Sequence, residues 1–290
     1  MTTAAGTRPD DGIDAPGVVR NLLVAGNFNM TNVDELFDEL VRLGQHPKEK
    51  ADTVTVMEKI GHFLDKENRR LHQIAKVELG LNKIERSQYQ ADHLDLPRVL
   101  EKASRDWDGG YAIAGLVGNG DSFVIRDPNG IRPCWYARTE DLIAVASERV
   151  ALMTIVGVNQ EDVHELPPGS ALIMKADGRH SIESFHAPGE PRHCSFERIY
   201  FSRGNDPEIY AERKALGAAL ADDVIAQIRD DHDHAVFSYI PNTAEIAWYG
   251  LMEELRLRRR SQVRRQLLEA QRAGEAREQL QLLTRQKPEF

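Results

Sequence analysis

The chain has 290 residues, 41% of them hydrophobic and 29% charged, enough for a sizeable core in one large domain or two ordinary ones. Its net charge of −9 argues against a nucleic-acid surface, which needs Lys and Arg to meet phosphates. No run of eighteen apolar residues predicts a membrane span, no apolar h-region marks a secretory signal, and two cysteines (Cys134, Cys194) are too few for a disulfide framework or a cysteine-built metal site, which fits a reducing cytoplasm.

Residues 1–20, rich in Gly, Pro, Asp and Thr, read as a leader. Asn21–Ala25 has strand length and ends in Gly26-Asn27-Phe28-Asn29, a turn-like cluster. Val33, Leu36, Phe37 and Leu40 recur at helical spacing over Asn32–Leu43, with Asn32 as the N-cap. A second helix is expected over Asp52–Leu64, and residues 67–105 look helical and highly charged, with Leu71, Ile74, Leu79 and Leu81 as core contacts.

The character changes at Gly109. Tyr111–Val117 and Ser122–Arg126 read as strands joined by an Asn119-Gly120 hairpin turn. Asp127-Pro128-Asn129-Gly130 makes the next tight turn, and Pro133–Ala137 with Leu142–Ala146 forms another strand pair. Cys134 falls inside the first of these, where a thiol behaves as a small hydrophobe. Segments to about Ile182 complete an α+β unit with an antiparallel sheet. Tyr210–Ile228 then reads as an amphipathic helix and Val236–Ile240 as a buried-type strand opening a second unit. From Leu251 the chain is helix-forming and Arg-rich; Leu255, Val263 and Leu267 interleave with the arginines, as in a solvated helix with one packed face. Asp231-His232-Asp233-His234 could hold a metal, but a solvated loop is the plainer reading.

Two motifs carry a resemblance. Arg126-Asp127-Pro128-Asn129-Gly130-Ile131-Arg132-Pro133, followed by Val145-Ala146-Ser147-Glu148, is similar to the sheet and turn of class II glutamine amidotransferases. Gly26-Asn27-Phe28-Asn29-Met30-Thr31-Asn32 stands in place of that class's H-N-G-N-x-T-N stretch. Within the class, Cys194–Arg203 resembles the C-x-F-E-x-[VI]-Y-F-[AS]-R linker of the amidophosphoribosyltransferase family, and Phe237–Ala247 resembles the opening of that family's phosphoribosyltransferase domain.

The resemblance implies an α+β fold: an incomplete αββα sandwich of the N-terminal-nucleophile-hydrolase type over 21–200, then the start of an α/β phosphoribosyltransferase lobe over 201–250 and a basic helical tail over 251–290. It further implies that the intact relative transfers glutamine-derived ammonia to phosphoribosyl pyrophosphate, the first step of de novo purine synthesis. That chemistry needs an N-terminal cysteine whose α-amino group is the base, an oxyanion hole and a glutamine clamp. By resemblance Asn27 gives its side-chain amide to the oxyanion hole, and Phe28 stands where the family has a glycine whose N–H is the second donor, with a ring that could crowd the glutamine. Asp52 lies at the spacing of the carboxylate that binds the α-amino group of glutamine; without the family it reads as a helix N-cap. Both cysteines are internal, Thr2 lies too close to Asn27 to replace the nucleophile, and the phosphate-binding acidic pairs of the transferase half are absent. A fragment inactive on its own is therefore expected, with a non-catalytic binding or assembly module, or one chain of a split amidotransferase, as alternatives. Glutamine is the expected ligand, with no nucleic acid, no membrane and a homo-oligomer in the intact relative. No cofactor is expected in this chain. The family uses Mg2+ with phosphoribosyl pyrophosphate, and some members carry an iron–sulfur cluster with a ligand near the position of Cys194, but a cluster needs more cysteines than the chain has.

Overall fold

The computed structural model describes residues 21–272, which divide between Cys194 and Ser195 into two compact units. The leader over 1–20 and the last part of the expected tail lie outside the described residues.

In the first unit a five-stranded antiparallel sheet runs in the order β1 (Leu22–Met30), β2 (Gly109–Val117), β3 (Ser122–Arg126), β7 (Ser170–Met174) and β8 (His180–Ser184). Strand alternation sorts its side chains into two faces. Leu22, Val24, Tyr111, Ile113, Phe123, Ile125 and Ile173 lie on one face and share a core with Val56, Ile60 and Leu64 of α2 (Asp52–Gln73), Leu36 of α1 (Val33–Arg42) and Leu100 of α4 (Leu96–Ser104). Val124 and Leu172 lie on the other and pack with Cys134, Leu166 and Tyr136 against a second sheet of order β5 (Ile143–Ala146), β4 (Trp135–Arg138) and β6 (Val163–Glu165). The far side of that sheet, at Ala137 and Val163, is covered by Leu152 of α5 (Arg149–Val156). Helix, sheet, sheet, helix is the expected αββα order, reached here from the burial pattern alone.

Several boundaries move, each for a physical reason. β1 does not stop at Ala25 but continues through the cluster read as a turn, pairing as far as Met30 with Gly109. A Cβ at Gly26 would sit 2.6 Å from the Ala112 carbonyl oxygen and 3.0 Å from the Phe28 ring, so this glycine permits close strand packing. Asn32 is the N-cap of α1 by position but gives the helix no side-chain bond. Its amide nitrogen donates to the Asp106 carbonyl (2.8 Å), and its side-chain oxygen accepts from the Asp108 N–H. α2 runs a further nine residues past Leu64, because Glu67, Asn68 and Leu71 continue its buried stripe despite two polar members. A π-turn over Ile74–Glu78 and α3 (Lys83–His93), opened by an Asn82/Glu85 capping box, follow. Cys134 is buried just before β4 rather than within it.

The motif around Asp127 owes its residues to a buried polar lock. The fully buried Asp127 carboxylate accepts four backbone N–H groups: Asn129 (3.1 Å) and Ile131 (2.9 Å) on one oxygen, Arg132 (3.0 Å) and Tyr111 (3.3 Å) on the other. Beside it the buried Arg126 guanidinium donates to the carbonyls of Gly130, Arg132 and Leu166 and pairs with Glu165 at 2.7 Å. The turn between the two sheets is thus held by charge-assisted bonds from the strand that precedes it.

The second unit is helical among the described residues. A π-turn over Glu197–Phe201 is pinned by buried Arg213, which donates to the carbonyls of Arg198 (3.1 Å) and Ser202 (2.6 Å). The single helix expected over Tyr210–Ile228 is two: α6 (Pro207–Ala219), capped by Asp206, and α7 (Ala221–Gln227). The break falls at Leu220, whose N–H closes on Gly217 three residues back while Ala221 turns into a core with Met252 and Leu255. α8 (Glu245–Arg272) is continuous across residues 250 and 251, where the basic tail was expected to begin. α6 and α8 cross at two glycines: a Cβ on Gly217 would meet the Ala247 carbonyl oxygen at 1.7 Å, and one on Gly250 the Lys214 carbonyl oxygen at 1.9 Å. Val236–Ile240 is not a paired strand, because the described part of this unit holds no other strand to pair with it.

Candidate glutamine site

Asn27 lies on the edge strand of the five-stranded sheet, opposite Ala112. Alternation places it with Leu23, Ala25 and Asn29 on the face toward the second sheet, and places Gly26, Phe28 and Met30 on the helical face. The Phe28 ring accordingly packs against the core shared with α2 rather than projecting with Asn27.

The ladder also fixes the backbone. Thr31 N–H donates to the Asp108 carbonyl and Gly118 N–H to the Asn21 carbonyl, so the hydrogen-bonded pairs of β1 fall at its odd-numbered residues. The N–H of Phe28 therefore points away from β2, outward from the sheet. A side-chain amide and an outward backbone N–H at adjacent residues are the donor set an oxyanion hole requires. The end of the motif anchors this strand: the Thr31 hydroxyl donates to the Asp108 carboxylate at 2.5 Å, and Asn32 bridges Asp106 and Asp108. These anchors and the outward N–H were not evident from the sequence; a strand reading of residues 26–30 with period-2 alternation would have exposed the second.

Asp52 is the first residue of α2, one position inside the N-cap Ala51, which makes no side-chain cap bond. Its carboxylate accepts from the Thr53 N–H at 2.7 Å and lies half-buried beside the positive end of the helix. It is thus a first-turn acid rather than the N-cap. α2 covers the helical face of the sheet, whereas Asn27 projects from the other, so the two predicted residues sit on different layers. On the Asn27 face, Arg126 occupies the same cross-strand row two strands away, about 10 Å at ordinary strand spacing. Its guanidinium is committed to three carbonyls and Glu165, so it is no clamp for a glutamine carboxylate.

Cys134 is not poised as a nucleophile. Burial pushes the Cys134 thiol up to about 11, keeping it protonated at neutral pH, and Cys194, half-buried, directs its N–H to the Ile131 carbonyl. Two cysteines, one sealed in an apolar core, do not fit a four-cysteine cluster. His234 is hydrogen-bonded to Asp231 within its loop, and no group of three or more potential metal-binding side chains occurs among the described residues. A cleft of about 640 Å³ lies at the opposite edge of the sheet, bounded by Tyr136, Arg138, His164, His180 and Ile182; neither Asn27 nor Asp52 lines it. No described helix is long and apolar enough to cross a membrane.

Known proteins agree with this architecture. Over 81% of the chain it superposes on a glutamine phosphoribosylpyrophosphate amidotransferase from Bacillus subtilis complexed with ADP and GMP, with TM-score 0.57 and 23% identity, covering 44% of that structure. A structure described as the allosteric regulatory enzyme of purine biosynthesis matches equally, with TM-score 0.57 at 24% identity, covering 43% of that chain. Over the superposed residues the chain therefore shares the mixed helix-and-sheet fold of these structures. By sequence the chain is similar to amidophosphoribosyltransferases over part of their length. It is 27% identical to that of Pasteurella multocida over 233 residues (77% of this chain, 42% of the relative) and 26% identical to that of Bacillus subtilis over 243 residues (80% and 44%). It is 29% identical to the Saccharomyces cerevisiae enzyme over 167 residues (54% and 32%). The chain thus spans less than half the length of these curated relatives, and no protein-family profile matches it.

Proposed function

We propose that this chain carries the glutamine-holding part of an amidophosphoribosyltransferase of purine synthesis in the cytoplasm, and that these residues do not release ammonia from glutamine on their own. The reading rests chiefly on β1: the Asn27 side chain and the outward Phe28 N–H stand as a donor pair on a strand anchored at Thr31 and Asn32. In this reading the pair receives the glutamine side-chain oxygen as it gains charge, and Asp52 receives the α-amino group. Those two roles need α2's first turn and the end of β1 to be bridged by one bound glutamine. The attacking sulfur must come from elsewhere, because Cys134 is sealed and protonated and Cys194 lies on neither element.

The test is ammonia release from glutamine by the purified chain, together with glutamine binding by calorimetry. The expected result is no hydrolysis, with binding weakened by Asn27→Ala and by Asp52→Asn. Ammonia release abolished by Asn27→Ala would overturn the claim of inactivity, and binding indifferent to both substitutions would overturn the site.

A further inference from the structure

Lysine is seldom fully buried, because its ammonium gives up water there, and where it is buried it is paired. Lys59 is fully buried on the inward stripe of α2, beside Thr55, Val56 and Ile60. Its Nζ donates to the Glu39 carboxylate of α1 at 2.6 Å and lies 3.4 Å from the Asp106 carboxylate, in the loop between α4 and β2. These two partners flank the point where β1 passes into α1. Asn32, which precedes α1, donates its side-chain amide to the Asp106 carbonyl (2.8 Å) and accepts the Asp108 N–H (3.2 Å). Thr31 donates its N–H to the Asp108 carbonyl and its hydroxyl to the Asp108 carboxylate. One ammonium thus joins three elements: α2, which opens at Asp52, α1, and the loop that fastens the end of β1 beyond Asn27.

Stability alone does not account for a lysine here. Desolvation offsets much of the attraction in a buried ion pair, so an apolar side chain of like volume is often as stable. Both carboxylates reach water, with 28% of the Glu39 side chain and 57% of the Asp106 side chain exposed, so loss of the lysine strands neither charge. What the ammonium adds is direction: charge-assisted bonds require their acceptors at about 3 Å, whereas apolar neighbours repack at many offsets. Asp52 and Lys59 stand seven residues apart, about two turns, and so on nearly the same side of α2. Asn27 lies four residues before Thr31, about 13 Å along the strand. Each of the two residues is therefore held at a fixed remove from the same ammonium by one rigid element. We infer that Lys59 is a positioning residue of the glutamine site, setting α2 against the end of β1 so that one glutamine can span Asp52 and Asn27. The inference rests on the glutamine-holding role proposed above for those two residues.

Lys59→Met in the full chain, similar in volume but uncharged, should leave denaturant unfolding of the first unit unchanged or shifted to higher denaturant. Glutamine binding by calorimetry should nevertheless weaken about tenfold, less than the roughly hundredfold that a misplacement of about 1 Å can cost a reaction. A lysine that served only the fold would lower stability and binding together. Asp106→Asn, at an exposed carboxylate, keeps the backbone carbonyl that Asn32 uses and stands in should the buried substitution fail to fold. It should weaken binding in the same direction by less, and the double variant should lose no more than Lys59→Met alone, because both changes cut one link. Without glutamine, the amide resonances of Phe28 and Thr53 should shift in Lys59→Met. Wild-type affinity in the folded variants, multiplicative losses in the double variant, or unshifted amides at both positions would overturn the inference and leave the site standing. A wild-type chain that binds no glutamine would overturn the site itself, and the inference with it.

Discussion

Removing the Asp127 carboxylate tests whether the most recognisable motif of the chain is structural. The side chain is fully buried and accepts four backbone N–H groups between 2.9 and 3.3 Å. A hydrogen bond to a charged group contributes about 1.5–3 kcal/mol net, and a buried donor left without a partner costs about 1–3 kcal/mol. The turn over 128–132 can relax toward water, but the Tyr111 N–H is held within β2. Counting roughly 1–1.5 kcal/mol for each of the four donors, Asp127→Ala should cost about 4–6 kcal/mol. That is comparable to the whole stability of a modest domain, about 5–15 kcal/mol. Asp127→Asn keeps one accepting oxygen but turns an NH2 toward two of the donors, so about half that loss is expected. Because the two units need not unfold together, amide hydrogen exchange at Ile113 and Ile125 is a better readout than a global melt. Protection at both should fall by several orders of magnitude in Asp127→Ala while amides of α8 are unaffected. A loss below about 1 kcal/mol at those amides would refute the lock.

Two further outcomes follow from the packing. Alanine at Gly217 or Gly250 would gain about 1 kcal/mol of helix propensity, yet its Cβ would lie inside 2 Å of a carbonyl oxygen of the facing helix, so α6 and α8 must separate. A net loss of about 2–4 kcal/mol in the helical unit is expected by denaturant titration of Trp248 fluorescence, and a stabilising Gly217→Ala would show that the helices do not meet there. His62, whose Nδ1 lies 3.0 Å from the Gln45 amide, has its pKa lowered chiefly by burial, so the unfolded chain binds the proton more readily than the folded one. Its contribution to stability is then present above the ordinary histidine value of 6.5 and is lost as pH falls below it; His62→Gln should flatten the stability–pH curve in that window, and an unchanged slope would reject the assignment.

The layer order could be read from the sequence because hydrophobic alternation in Tyr111–Val117 and Ser122–Arg126, and the Asn119-Gly120 turn between them, are local signals that tertiary packing only reinforces. The loop is one residue longer than the Asn-Gly signal implies: Val117 pairs with Asp121 across residues 118–120, and Gly120, at φ +95°, takes the left-handed last position of such a three-residue loop. The length of α2 could not be read, because its buried stripe passes through Glu67 and Asn68. Asn68 enters the core by donating to the Leu64 carbonyl at 3.1 Å, and Glu67 by pairing with Arg70, neither of which hydropathy registers. At the site, Asn27 and Asp52 were nameable by resemblance, but their faces were not. A strand ending at Ala25 leaves Asn27 in a turn, whereas pairing carried on to Met30 makes it project from the sheet.

The same distinction between composition and pairing explains the contrast between the two strand-like segments. Residues 26–30 contain two asparagines and a glycine, poor strand formers, yet they form strand because β2 presents a ladder from Gly109 to Val117 and Thr31 and Asn32 fasten the far end. Residues 236–240 are rich in β-branched and aromatic side chains, yet they stay unpaired because the described part of their unit offers no neighbouring ladder. Strand propensity reports how well side chains suit a pleated surface; a partner with spare N–H and C=O groups decides whether a strand exists. In the first segment that partner aims one backbone donor outward beside Asn27, the feature on which the proposed glutamine site depends. In the second no such partner stands among the described residues, and side chains suited to a pleated surface alternate without a ladder.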